Sequence, residues 1–204
     1  MPITDEFNEF MSAVNIATTL RQKANNAATG LLEAERHLLY EAIFLRLFRA
    51  YENLLESVFI SYLTGEQTAG GAPVPSHVVP TCRDHARAIV TSSQPFLDWT
   101  SPQTVIKRAE TYIIGGEPIR TAITSSQSHL QQAKKIRNHI AHNSTESAKD
   151  FRNIVVTFLL TAPLGNLSAG EFLTLTPPSG PCARREILSF FVDKLESTAR
   201  ALIN

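Results

Sequence analysis

The sequence predicts an all-α fold with a long central helix and a further helix at the C-terminus. Two observations carry this. Apolar residues recur every three or four positions along most of the chain, the period of helices with one buried face. The one strand-like run, FLTLT at 172–176, has no evident partner strand in an otherwise helical chain.

Taken in order, Thr4 or Asp5 caps a first helix running to about Asn26, with Phe7, Phe10, Met11, Val14, Ile16 and Leu20 on its apolar face. Asn25, Asn26 and Gly30 mark a break. The stretch from Leu31 to Leu63 is very apolar and the longest candidate, hence the expected central helix. At 1.5 Å per residue it would span roughly 50 Å, more than one compact domain of this size, so it is expected to bend, break or project into a partner. On it, Arg49 and Glu52 stand at i, i+3 spacing; Glu52 is either an arginine's structural partner or a group that orients the motif described below.

Residues 64–80, rich in glycine and proline, form a loop. Thr81 caps a short helix to about Ser92, on which Arg83 and Arg87 either add positive potential near a substrate or face solvent. Cys82, Asp84 and His85 bring one thiol and one imidazole together with no second half-site, so no metal is expected there. Residues 94–102 are irregular, with Trp99 as an anchor between helices. Ser101-Pro102 starts a helix that stops at Gly115-Gly116, and Pro118 opens the next. Ile119, Ala122, Ile123, Leu130, Ala133 and Ile136 give that helix one buried stripe. Ser144 or Thr145 caps a helix through Leu160, with Phe151, Ile154, Val155 and Phe158 inward and Lys149 and Arg152 turned to a substrate. Residues 161–182 form an irregular connection and 183–203 the final helix, all within one domain spanning 1–204.

The candidate chemistry lies at the far end of the Pro118 helix, in LQQAKKIRNHIAHNS. Arg137, Asn138 and His142 form an R-N-x-x-x-H string there. A permanent cation that can fork onto a phosphate stands near the one side chain that titrates near neutrality. An imidazole can take the proton of a ribose 2′-hydroxyl or protonate a leaving 5′-oxygen, while a guanidinium stabilises the charge on the phosphate oxygens. That chemistry needs no metal. Lys134 and Lys135 add charge for substrate binding, and His139 is either a second acid or base or a hydrogen-bonded structural histidine. Residues five apart on an ideal helix point about 140° apart. Either the helix unwinds near Asn143, or Arg137 and His142 flank a groove whose other wall comes from elsewhere.

The string IRNHIAHNS resembles the R-(N/D/H)-x-x-x-H signature of the HEPN superfamily. The upstream segments RLFRAYENLLESVF and RAETYIIGGEPI are similar to its RiboL-PSP-HEPN branch. The likeness runs from about Leu31 to Leu160 and implies an antiparallel helical bundle, a homodimer with its two motifs facing each other, and metal-independent RNA endonuclease activity. The resemblance further implies a bacterial defence or toxin setting, with an antitoxin or defence-system protein as partner. Arg137 and His142 would be the catalytic pair, with Asn138 as their polar neighbour. Some toxin members carry a tyrosine two residues past the histidine, where a nucleotidylating antitoxin acts; this chain departs from that pattern with Ser144.

Composition sets the bounds. The chain has 204 residues, 43% of them hydrophobic, enough to bury a sizeable core. Its 19 basic and 19 acidic residues balance to zero, which argues against gripping nucleic acid over a broad face and leaves room for a local positive patch. A non-catalytic module that holds RNA or a protein with the same helix end is the rival reading. Cys82 and Cys182 lack C-x-x-C spacing and are expected as free thiols in a reducing cytoplasm. The start, MPITDEFNEF, is acidic and does not read as a secretory signal, and no apolar run is long enough to span a membrane.

Overall fold

The computed structural model describes residues 3–92, 97–161 and 165–204. Among these, the chain is all-helical. Its helices are α1 (Ile3–Ala24), α2 (Glu33–Leu63), α3 (Arg83–Thr91), α4 (Pro102–Tyr112), α5 (Ile119–His142), α6 (Thr145–Leu159), α7 (Ala169–Thr174) and α8 (Ile187–Ile203). Short 3-10 turns at Ala27–Thr29 and Ile114–Gly116 fill two of the connections. Extended pairing among the described residues is limited to an isolated bridge between Ser76 and Ile113. None of the described helices is long and apolar enough to cross a membrane.

Packing divides the chain into two compact units. One comprises Met1–Ser12, Ala50–Gln131 and Leu195–Asn204, and the other Ala13–Arg49 and Gln132–Lys194. The first unit packs Phe59 against Trp99, with ring centroids 5.3 Å apart, and against Tyr112 at 6.3 Å. The Arg108 guanidinium lies over the Trp99 ring, 4.6 Å from its centroid, so the expected anchor role of Trp99 rests on aromatic and cation–π contacts. The buried Tyr62 hydroxyl donates to the Leu202 carbonyl at 2.7 Å. Arg83 reaches the Ser61 hydroxyl at 2.6 Å and Glu6 at 3.0 Å, and Arg87 reaches Glu56 at 3.3 Å. Arg83 is thereby paired with a buried carboxylate, and Arg87, in an exposed pair with Glu56, is only partly available as positive potential. Residues 64–80 are a loop, as expected, but a pinned one: Ile114 N–H donates to the Pro75 carbonyl at 2.8 Å, and His77 N–H to the Tyr112 carbonyl at 2.9 Å.

The second unit is built on phenylalanines. Phe158 meets Phe172 at 5.7 Å and Phe190 at 5.6 Å edge to face, and Phe44 meets Phe191 at 5.8 Å in the same way. Each such pair contributes about 0.5–1.5 kcal/mol beyond the area it buries. A polar knot sits beside them. Arg21 and Asn25 donate to Glu186 at 2.6 Å and 3.3 Å, and the Tyr40 hydroxyl donates to the same carboxylate. Burial first, then this bond to Glu186, pushes the Tyr40 phenol far above its usual range.

Of the alternatives expected for the central helix, a break is excluded: α2 is one helix from Glu33 to Leu63, and its two parts belong to different units. Two expectations change. The connection after α6 holds a helix, α7, in place of a loop or strand. Ser168 caps it by accepting from Glu171 N–H at 3.1 Å, while Glu171 accepts from Ser168 N–H at 2.6 Å. This reciprocal capping box, with Phe172 and Leu173 fully buried, outweighs the alternation of FLTLT. The final helix starts at Ile187, because Ala183, Arg184 and Arg185 donate their N–H groups to Gly180, Pro177 and Cys182 in successive turns. Of the two irregular stretches expected, 94–96 and 162–164 lie outside the described residues.

Candidate active site at the end of helix α5

Helix α5 buries Ile119, Ala122, Ile123, Leu130, Ala133 and Ile136, the stripe read from the sequence. The helix runs through His142 and stops at Asn143, whose φ of 43° is left-handed and whose N–H still reaches the His139 carbonyl at 2.9 Å. Asparagine accepts that conformation more readily than most residues. Ser144 then starts α6 at once, its hydroxyl accepting from Ser147 N–H at 3.2 Å. The helix therefore does not unwind between Arg137 and His142, and the two side chains leave it about 140° apart.

The expected residues fall into separate settings. Arg137 is half-buried, donates to the Asn138 side-chain oxygen at 3.2 Å, and forms no ion pair among the described residues. His142 is exposed at the helix end. Lys135 is bound to Asp150 at 3.0 Å, with both side chains well over a third exposed, and so is only partly available to a substrate. Lys134 is half-buried. Glu52 is half-buried on α2 and belongs to the other unit.

A cleft of about 480 Å³ opens on another face of the same helix end. His139, Ile140 and Asn143 of α5 line it with Phe151 and Arg152 of α6 and Glu41 of α2. Arg137, Asn138 and His142 are not among its walls. His139 is the group the motif contributes here. Its ring stacks on Phe151, centroids 4.4 Å apart and planes 12° from parallel. Its Nδ1 is buried with no hydrogen-bond partner among the described residues, which corrects the expectation of a hydrogen-bonded structural histidine: stacking, not a bond at Nδ1, fixes the ring. Burial lowers the His139 pKa, and the charge of Glu41 only partly opposes it. In the imidazolium the Nδ1–H would find no acceptor among the described residues.

Glu41 is itself held, its Oε1 accepting from Gly170 N–H at 2.8 Å. Glu171, at the α7 end of the cleft, is kept below the usual carboxylate range by the Ser168 N–H and then its hydroxyl. Arg152 is exposed at the rim. Among the described residues no three His, Cys, Asp or Glu side chains group as a metal site.

The lowered pKa of His139 has a measurable consequence. The unfolded chain takes up the proton first, at about pH 6.5. The folded state therefore keeps the full contribution of the neutral ring above that pH and loses it as pH falls through the lower folded value. Titration of the His139 ring signals by NMR should give a midpoint below the ordinary histidine value of about 6.5. Wild type should also lose more stability on acidification than His139→Phe, which keeps the stack and removes the titrating group.

Glu41 and the α7 end of the cleft were missed in the sequence. The S-x-x-E spacing of Ser168 and Glu171 was a usable sign of a helix start. Glu41 offered none, since only the fold brings it to His139. Compared with protein-family models, with curated proteins and with solved structures, the chain finds no match.

Proposed function

We propose that the chain is a metal-independent RNA endonuclease acting as a homodimer, with Arg137 and His142 as its catalytic groups. The observation that carries this reading is the state of Arg137: a half-buried guanidinium with no ion pair among the described residues, while its neighbour Lys135 has one, on the helix end that leaves His142 exposed. Holding an unneutralised guanidinium partly out of water is costly, and an anion such as a phosphate diester relieves that cost. The resemblance of IRNHIAHNS to the HEPN signature points the same way and supplies the defence or toxin setting, with an antitoxin or other defence-system protein as partner.

In the reaction, one His142 accepts the ribose 2′-hydroxyl proton as O2′ attacks phosphorus. A second His142 gives a proton to the departing 5′-oxygen, and Arg137 holds the non-bridging oxygens as their charge grows. The products are a 2′,3′-cyclic phosphate and a 5′-hydroxyl. Two proton movements and one His142 per chain call for two chains, which a two-fold axis through the motif supplies.

A second reading, a non-catalytic module that binds RNA or a protein, is favoured by one observation: Arg137 and His142 do not line the cleft of the single chain. Incubation with transfer RNA and total RNA in EDTA, followed by mapping of the ends, separates the two. The nuclease reading expects cyclic phosphate ends. Binding without cleavage supports the module, and activity abolished by EDTA contradicts the metal-free mechanism.

A further inference from the structure

We propose that the cleft beside the motif is a nucleobase site, built to take a guanine of the RNA through its row of N–H donors. This rests on the nuclease reading, which it deepens by assigning a base preference.

The walls argue for a flat ligand with a polar edge. Ile140 and Val155 supply apolar surface against which a flat ring can lie, and the buried Phe151 fixes the His139 ring by stacking on it. A volume of about 480 Å³ lies within the range of small-molecule sites. At one side Glu41 acts electrostatically on His139 yet makes no hydrogen bond to it, its Oε1 being turned to Gly170 N–H. A carboxylate accepts at several lone pairs, so Glu41 keeps acceptor capacity for a ligand. Guanine carries N1–H and a 2-amino group side by side, a planar donor fork of the kind carboxylates bind best. O6 and N7 of the same base are acceptors, and they match a donor form of the neutral His139 at Nε2, the ring nitrogen that is not buried without a partner. Arg152, exposed at the rim and free of any ion pair among the described residues, is placed for the attached phosphate.

The test is titration of the full chain with the four nucleoside 5′-monophosphates, followed by calorimetry and by the NMR signals of the His139 ring. Guanosine monophosphate should bind saturably, ahead of the other three, and shift those signals. Glu41→Gln keeps the oxygen that accepts from Gly170 and turns the other pole from acceptor to donor; it should weaken guanosine monophosphate by about tenfold or more. Arg152→Ala should weaken the monophosphate and leave guanosine itself unchanged. A short RNA containing one guanine should compete at lower concentration than the free nucleotide; the reverse order makes the cleft a free-nucleotide site and overturns the assignment to RNA. The base assignment is also overturned by equal binding of all four, by no saturable binding at millimolar concentration, or by Glu41→Gln binding like wild type. His142→Ala should bind guanosine monophosphate as wild type does. Binding without cleavage in wild type would thus remove the nuclease and leave the nucleotide cleft, while cleavage without binding would do the opposite.

Discussion

Replacing His142 by alanine should lower the rate of RNA cleavage by about 10²- to 10⁴-fold, the usual contribution of a positioned general acid or base. The side chain is exposed at the end of α5 and contributes nothing to the buried core, so the melting temperature should stay within about a degree or two of wild type. Arg137→Ala should give a loss of similar size. Arg137→Lys should not restore full activity, because an ammonium cannot bind two phosphate oxygens in the plane of a guanidinium. Equal cleavage by wild type and His142→Ala, each freed of contaminating nuclease, would remove the proposed acid–base role. If the motif were only a helix cap, its mutation would change melting temperature more than rate.

The largest effect on stability is expected at Gly170. A Cβ there would sit 2.4 Å from the His37 carbonyl oxygen and 2.6 Å from its carbon, both backbone atoms that cannot rotate away. The Gly170 N–H also holds Glu41 at 2.8 Å, so any shift of α7 disturbs the cleft as well as the packing. Gly170→Ala should destabilise the 204-residue chain by about 3 kcal/mol, the upper end of ordinary overpacking, and lower its melting temperature by roughly 6–12 °C. Gly165→Ala is the matched control, since nothing lies within 4 Å of its added Cβ. Equal melting temperatures for the two variants would mean that the close approach of α7 to α2 is absent in solution.

Much of the fold was legible because its signals are local. The apolar stripe of α5, the Ser144 cap and the Asn143 stop depend on residues within a few positions of each other. The misjudged parts depend on competition or distance. FLTLT alternates like a strand, and only burial of Phe172 and Leu173 together with the Ser168 cap decides for α7. At the site, R-N-x-x-x-H was visible as a spacing. The stacking of His139 on Phe151 and the approach of Glu41 were not, because they join α2, α5 and α6 through the tertiary fold.

The claim that two histidines from two chains act on one phosphate is tested most directly by mixing wild type with His142→Ala at fixed total protein, after subunits have exchanged, and measuring cleavage in EDTA. If both copies are required, activity follows the square of the wild-type fraction, and an equal mixture retains about one quarter of the wild-type rate. A rate near one half, falling in direct proportion to the wild-type fraction, would show that each chain cuts alone.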